Sequence, residues 1–138
     1  MSDKEELYKK LPDLLTIDEL IETLKIGRNT AYKIIKNKLI YSKKIGKQYL
    51  IPKISVIEYI YNEKIDKKEM FKEYKQILEV NDVVKILRKT SRNTIYQLIK
   101  EGKIFSVKIV NSYKIPKDAL IDFIFNFAWT LKKFVILW

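Results

Sequence analysis

One short run of side chains occurs twice in the chain, and its members can form paired hydrogen bonds. Residues 28–32 read Arg-Asn-Thr-Ala-Tyr, and residues 92–96 read Arg-Asn-Thr-Ile-Tyr. An arginine can bind the edge of guanine through paired hydrogen bonds, and an asparagine can bind adenine in the same way. At the start of a helix these side chains could equally bind phosphate oxygens, helped by the unpaired backbone N–H groups there. The residue types therefore indicate recognition of nucleotides, with both roles open.

The composition argues against catalysis. The chain contains no cysteine and no histidine, which removes disulfides, zinc sites built on sulfur and the commonest general base. Paired carboxylates, a glycine-rich phosphate loop and a cluster of metal ligands do not occur at usable spacing. We therefore predict that the protein is not an enzyme and that it uses no cofactor or metal.

The charge of the chain points to a polyanionic partner. Lysine and arginine number 28 against 17 aspartate and glutamate, which gives a net charge of +11 at pH 7. Residues 25–53 contain lysine and arginine but no acidic residue. Such segregation would place positive charge on one surface, where neutralised phosphates release counterions. The alternative is a basic face that is only solvated, and charge alone does not separate DNA from RNA or an acidic membrane.

The repeat extends beyond the arginine-led runs. Residues 15–21 match residues 78–84, and residues 50–53 match residues 114–117. The second copy has one extra residue between Leu87 and Arg92, which is tolerable if that stretch is a turn between two helices. A chain of 138 residues then holds two modules of about fifty to sixty residues each, near the lower limit for an independent core.

A helix start precedes the arginine-led run in the first copy. Thr16 and Glu19 have the spacing of a capping box, and Leu15 is placed to pack on Leu20 as a hydrophobic staple. Apolar residues then recur at helical spacing over residues 17–24. This pattern predicts the first helix of each copy.

The arginine-led run itself predicts a second helix. Gly27 in the first copy and Ser91 in the second are suited to cap it, and serine is the better cap. Ala31, Ile34 and Ile35 would then face inward, and the polar residues between them would face outward.

A β-hairpin is predicted after each second helix. In the first copy it runs over residues 43–51 and turns at Gly46-Lys47, and in the second it runs over residues 107–115 and turns at Asn111-Ser112. The proline that follows each hairpin ends the strand and can open a third helix. The order helix, turn, helix, hairpin, helix therefore occurs twice.

These elements divide the chain into four parts. We predict a first module with an N-terminal extension over residues 1–61 and a second module over residues 78–125. Residues 62–77 lack glycine, proline and serine and carry Met70, Phe71 and Tyr74 at helical spacing, so they predict a connecting helix. Residues 126–138 form an apolar tail.

Something must cover the apolar C-terminal residues. Packing against the first module and self-association through a tail helix are both open, and the second would make a homo-oligomer. A membrane span is disfavoured because Asp122, Asn126 and the pair Lys132-Lys133 interrupt the segment. The first ten residues are charged and lack the apolar core of a signal peptide, so we expect a cytoplasmic protein.

The order of elements and several residues resemble the excisionase family and the MerR-type DNA-binding domains. Leu15-Thr16, residues 28–32, and the segment from Lys44-Ile45-Gly46 to Ile51-Pro52 carry this resemblance, which covers residues 15–61 and 78–125. It implies a mainly α fold with small β-hairpin wings, in which two tandem winged helix-turn-helix modules are joined by a helical linker. The second helix would enter the major groove of duplex DNA, and the wing would lie along the backbone or in the minor groove.

The resemblance and the charges together predict a set of DNA-contacting residues on the second helix and the wing of each copy. They are Arg28, Asn29, Tyr32, Lys33, Lys36, Lys43, Lys44, Lys47, Arg92, Asn93, Tyr96, Gln97, Lys100 and Lys108. The two tyrosines stand where the family often contacts phosphate. Tyr49 and Tyr113 are interpreted as core residues of the returning wing strand. The second wing lacks the Gly-Lys of the first, so the second copy is expected to bind more weakly.

The preferred function is sequence-specific binding of double-stranded DNA, as a transcription regulator or as an accessory factor in recombination or plasmid maintenance. The alternative is a protein-interaction or scaffold module that associates through its apolar tail while the basic surface serves solubility. Salt dependence separates them, because only phosphate binding weakens steeply with salt.

Overall fold

Two units with the same order of elements follow one another along the chain. The computed structural model describes residues 2–126, and the division between the units falls between Lys67 and Lys68. Within the described residues each unit holds α-helices and a three-stranded antiparallel sheet. The expected mainly helical fold, with tandem helix-turn-helix modules and small β-hairpin wings, is confirmed.

The first unit contains four helices and three strands. Its helices are α1 (Asp3–Lys10), α2 (Ile17–Leu24), α3 (Arg28–Lys36) and α4 (Lys53–Tyr61), and its strands are β1 (Leu14–Leu15), β2 (Lys43–Ile45) and β3 (Gln48–Pro52). The strand order is β1-β3-β2. The sheet is therefore the predicted hairpin with one short strand added at its edge.

The second unit repeats this pattern from its first strand onward. Its strands are β4 (Ile77–Leu78), β5 (Val107–Ile109) and β6 (Ser112–Pro116), and its helices are α5 (Val80–Ile86), α6 (Arg92–Lys100) and α7 (Lys117–Ile124). The strand order is β4-β6-β5. The pattern did not indicate β1 and β4, because a two-residue strand is too short to show alternation.

The predicted helix starts are present. The hydroxyl of Thr16 accepts from the backbone N–H of Glu19 at 3.3 Å, and the Glu19 carboxylate accepts from the Thr16 N–H at 2.9 Å. Gly27 is the N-cap of α3, and Ser91 caps α6 by accepting from the N–H of Thr94 at 3.2 Å. These local bonds fix where the helices begin, because they pair N–H groups that the helix leaves unpaired.

The core of the first unit is formed by the buried faces of its helices and strands. Leu15 and Leu20, the predicted staple pair, are fully buried in the same cluster as Ala31 and Ile51. Because α3 buries Ala31 and Ile35 and packs Ile34 against the cluster's edge, its opposite face is left for solvent. The core therefore determines which side of α3 is presented outward.

The prediction of a connecting helix over residues 62–77 is wrong. Only Lys67–Glu69 form a short 3-10 helix, and β4 begins at Ile77. Met70 and Phe71 are fully buried, and Phe71 has a φ of 60° in the left-handed region, which a helix does not continue through. The two side chains are core residues of the second unit, and their spacing was misread as one face of a linker.

Lys53, the first residue of α4, is buried and binds the end of α1. Its Nζ donates to the carbonyl oxygen of Tyr8 at 2.8 Å and lies 3.5 Å from that of Leu11. The ammonium also lies 3.5 Å from Oδ1 of Asp13 and 3.9 Å from the centroid of the Tyr8 ring. The carbonyl groups at a helix end lack partners within the helix, so Lys53 satisfies them and ties α1 to the rest of the unit.

Lys117 performs the same task at the start of α7. Its Nζ donates to the carbonyl oxygens of Phe71 and Tyr74 at 3.1 and 3.2 Å. These two acceptors precede β4 by the same spacing by which Tyr8 and Leu11 precede β1. The repeat therefore begins further upstream than the sequence match indicated, and it includes the second half of the expected linker.

The turn of the second wing differs from the prediction by one residue. Ile109 pairs with Ser112 as Ile45 pairs with Gln48, so the turn is Val110-Asn111 and not Asn111-Ser112. Val110 takes the place of Gly46, and both have a positive φ, 58° and 62° respectively. A β-branched residue is strained there. The turn follows the strand register, which overrides the local preference for asparagine and serine.

The apolar C-terminal sequence lies only partly within the described residues. Phe123, Ile124 and Phe125 are buried. Residues 127–138, for which packing against the first module and self-association are both open, lie outside the described residues. Over residues 2–126, the helices are all too short or too polar to cross a bilayer.

Exchanging the residues at the two wing turns tests the strain at Val110. Val110→Gly is expected to raise the free energy of unfolding by about 0.5–1 kcal/mol, because relief of left-handed strain exceeds the entropy cost of glycine. Gly46→Val is the matched control and should lower it by about 1–2 kcal/mol. A Cβ at Gly46 would meet nothing within 4 Å, so that loss reports the backbone alone. Urea unfolding followed by circular dichroism measures both, and a less stable Val110→Gly variant contradicts the expectation.

Candidate nucleic-acid interface

The predicted contact residues of the first unit share the side of α3 that the core leaves free and the neighbouring hairpin. Those that are exposed are Arg28, Asn29, Lys33, Lys36, Lys44 and Lys47, and those that are half-buried are Tyr32 and Lys43. Their side chains can reach a partner without unfolding. The helix is therefore suited to enter a groove.

The second unit has the same arrangement with fewer cations. Its exposed residues are Arg92, Asn93, Gln97, Lys100 and Lys108, and Tyr96 is half-buried. Gln97 stands where the first unit has Lys33, and the wing turn lacks a lysine. The second surface is consequently less basic than the first.

A chain of side-chain contacts joins helix and hairpin in the first unit. The Arg28 guanidinium donates to Oδ1 of Asp18 at 2.5 Å and interacts electrostatically with Tyr32 on the same helix. The Tyr32 ring meets the Tyr49 ring edge-on, with centroids 6.1 Å apart and an interplanar angle of 70°. Nζ of Lys44 lies 5.3 Å from the centroid of Tyr49. Arginine, two tyrosines and lysine thus connect the start of α3 to the wing.

The second unit contains the same chain at the equivalent positions. Arg92 donates to Oδ1 of Asn81 at 2.7 Å and to the hydroxyl of Tyr96 at 3.4 Å. The rings of Tyr96 and Tyr113 have centroids 5.9 Å apart, and Nζ of Lys108 lies 5.6 Å from the centroid of Tyr113. Because the same contacts form twice, they are a feature of the module.

These contacts fix the wing against the helix. An aromatic pair contributes about 0.5–1.5 kcal/mol beyond the area it buries, and an exposed cation above a ring contributes about 0.5–1 kcal/mol. Tyr49 also packs against the core of its unit, in keeping with its interpretation as a core residue. The helix and the wing can therefore meet a ligand as one preformed surface.

The sequence interpretation missed Asp18 and Asn81. Asp18 is the second residue of α2 and Asn81 is the second residue of α5, and each binds the arginine that opens the following helix. The signal was a polar residue at the same position of both copies. This signal does not by itself indicate a contact, because spacing within one helix does not show which residues of another helix it meets.

The carboxylate of Asp18 affects the pKa of Arg28. Its hydrogen bond, followed by its Coulombic attraction, raises the pKa of Arg28 above its ordinary value. An arginine in a protein is protonated at any ordinary pH, and the bond to Asp18 favours that same state. It remains a donor to a ligand at any working pH.

Lys53 does not belong to the basic surface. It ends the basic run of residues 25–53, but only 8% of its surface is exposed and its ammonium is used inside the unit. The buried lysine serves the fold, and the basic surface consists of the other cations.

The comparison with protein families agrees with this geometry. The helix-turn-helix domain family matches residues 14–63 and 77–124, which together make up more than half of the chain. The chain belongs to the helix-turn-helix domain family. The pairs α2–α3 and α5–α6 are its helix-turn-helix motifs, and these domains bind DNA. Comparisons with curated proteins and with solved structures give no match.

The family places α3 and α6 as the second, recognition helices of the two motifs. The match reaches from β1 to the end of α4 and from β4 to the end of α7. Each match therefore includes a hairpin and the contact chain.

Over residues 2–126, Asp and Glu side chains do not gather into a group of three or more that could hold a metal ion.

Substituting two lysines distinguishes a residue of the candidate interface from a residue that stabilises the fold. Lys44→Ala should reduce the slope of log affinity for duplex DNA against log salt by about 0.9, as expected when one phosphate contact is lost, and should lower the free energy of unfolding by no more than about 0.5–1 kcal/mol, the contribution of an exposed cation above a ring. Lys53→Met should lower the free energy of unfolding by about 1–3 kcal/mol, because carbonyl groups lose a charged donor. Fluorescence anisotropy at several salt concentrations and urea unfolding measure the two effects. Equal loss of stability in both variants would contradict the assignment.

Proposed function

We propose that the chain binds specific sequences of duplex DNA with both helix-turn-helix units. It would act as a transcription regulator or as an accessory factor in recombination or plasmid maintenance. The finer resemblance to excisionase-type and MerR-type winged domains is part of this proposal. The observation that supports it is the contact chain from arginine to wing lysine, which is built twice on exposed surfaces.

The recognition helices have the chemistry for base contacts at their first turn. Arg28 and Asn29 open α3, and Arg92 and Asn93 open α6. In helix-turn-helix proteins the N-terminal residues of the recognition helix contact base edges in the major groove. Arginine pairs with guanine and asparagine with adenine in that groove.

The wings have the chemistry for phosphate contacts. In the first unit Lys43, Lys44 and Lys47 lie on or beside the hairpin turn. In the second unit Lys108 is on β5, while Lys114 on β6 is already paired with Glu79 at 2.7 Å. Phosphate contacts supply affinity that does not depend on sequence, so the first unit should contribute more of it.

Joining both units in one chain strengthens binding without new contacts. Once one unit is bound, the other meets DNA at a high effective concentration, which can raise overall affinity well above that of either unit. A chain with two modest surfaces can then occupy a site stably.

The direct test is selection of bound duplexes from a random pool by the full chain, followed by salt titration on the selected duplex. About six phosphate contacts predict a log–log slope near −5. An enriched sequence with a steep slope supports the proposal. A flat slope would instead favour association through the apolar tail, the alternative function.

Charge reversal on one helix at a time tests whether both units bind. Lys33→Glu with Lys36→Glu on α3, and Gln97→Glu with Lys100→Glu on α6, should each lower affinity for the selected duplex by at least about 10-fold, because each replaces phosphate attraction by repulsion. Lys9→Glu with Lys10→Glu on α1 is the control and should change affinity far less. If either helix tolerates reversal as well as α1 does, DNA binding by two units is refuted.

A further inference from the structure

The two recognition arginines differ in the charge of the residue that holds them. Asp18 holds Arg28 with a carboxylate at 2.5 Å, and Asn81 holds Arg92 with an amide oxygen at 2.7 Å. Both holders occupy the second position of the preceding helix. The two copies therefore differ by one residue at otherwise matching sites. In the first copy the arginine is bound by a charged carboxylate, and in the second it is bound by an uncharged amide.

We propose that Arg28 reads a base edge and that Arg92 binds a phosphate, with Asp18 and Asn81 as the positioning residues that assign these tasks. The inference rests on the proposed function, since it requires that both arginines contact DNA. It deepens that function by giving the two arginines different tasks, one at a base edge and the other at the DNA backbone.

The carboxylate of Asp18 disfavours a phosphate beside Arg28. A phosphate bound to this guanidinium would lie close to a second negative charge, and DNA would displace the water that screens them. Side chains of the Arg28–Asp18 pair are 58% and 72% exposed in the free protein, so the pair is accessible to a ligand. A neutral base edge meets no such repulsion.

The same carboxylate favours base reading because it orients the guanidinium. Arginine donates from a planar, rigid fork, and a donor used on Asp18 leaves others for the O6 and N7 acceptors of guanine. Tyr32, on α3 itself, adds an electrostatic interaction with the same group. A guanidinium fixed in advance loses less freedom when it binds a base.

Arg92 is oriented without being neutralised. The two groups that bind it, Asn81 and Tyr96, are uncharged, so neither of them opposes an incoming phosphate. An arginine with its charge available forms strong charge-assisted bonds to phosphate. The surrounding surface fits this task, because Gln97 and the Val110-Asn111 turn leave the second unit short of other phosphate-binding cations.

Alanine variants of the full chain on the selected duplex separate the two tasks. Arg28→Ala should reduce discrimination at one base pair by roughly 5- to 150-fold and leave the salt slope unchanged. Arg92→Ala should weaken binding to all sequences alike and reduce the slope by about 0.9. The reverse pattern, or the same pattern for both variants, overturns the proposal.

Reciprocal variants of the holders test the cause. Asp18→Asn should steepen the salt slope by up to about 0.9 and reduce sequence preference, because Arg28 becomes able to bind phosphate. Asn81→Asp should make the slope shallower and weaken binding to all sequences alike. If both leave slope and preference as in the wild type, Asp18 and Asn81 do not assign the tasks.

A double variant shows whether Asp18 acts through Arg28. Asp18→Asn in the Arg28→Ala background should leave the remaining base preference unchanged, whereas a direct effect of the carboxylate on DNA would persist there. Thermal melting of each variant confirms that it is folded. A wild-type chain that shows no salt-dependent duplex binding refutes the proposed function, whereas normal wild-type binding with unresponsive holders refutes only the assignment of tasks.

Discussion

The edge-on contact between Tyr32 of α3 and Tyr49 of β3 is the interaction on which the binding surface depends. A module of this size has a small core, and its recognition helix and hairpin are separate elements that only side chains can hold together. The tyrosine of the helix supports the arginine at its first turn, and the tyrosine of the strand supports a wing lysine. Without this contact, the residues of α3 and those of the wing would move independently, and binding a ligand would require them to be ordered at that moment.

The local features of the fold could be predicted from the sequence, and the tertiary ones could not. The Thr16–Glu19 capping box and the Ser91 cap are formed by neighbours in the chain, so spacing alone identifies them. Met70 and Phe71 have helical spacing, but their burial depends on the distant Lys117, which binds the segment that holds them. The burial of Lys53 could not be predicted either, because Lys53 differs from the exposed lysines earlier in the basic run only in what surrounds it after folding.

The candidate site was predicted at the level of surfaces and missed at the level of partners. The repeat and the charge segregation predicted which face of α3 and α6 carries Arg28 and Arg92, and the core of the first unit explains that exposure. Asp18 and Asn81 belong to other helices and contact the arginines only because the turn brings α2 onto α3 and α5 onto α6. Residue types and spacing therefore identify the two arginines, but they do not identify the residues that bind and orient them.

The covalent link between two similar but unequal units changes what their target can look like. In a homodimer one gene specifies both halves, so every substitution appears twice and the preferred target is a palindrome. Here Asn81 and Val110 stand in one half where the other half has Asp18 and Gly46. Each half can therefore drift toward its own half-site, and the chain has the means to recognise an asymmetric stretch of DNA and to bind it in a single orientation.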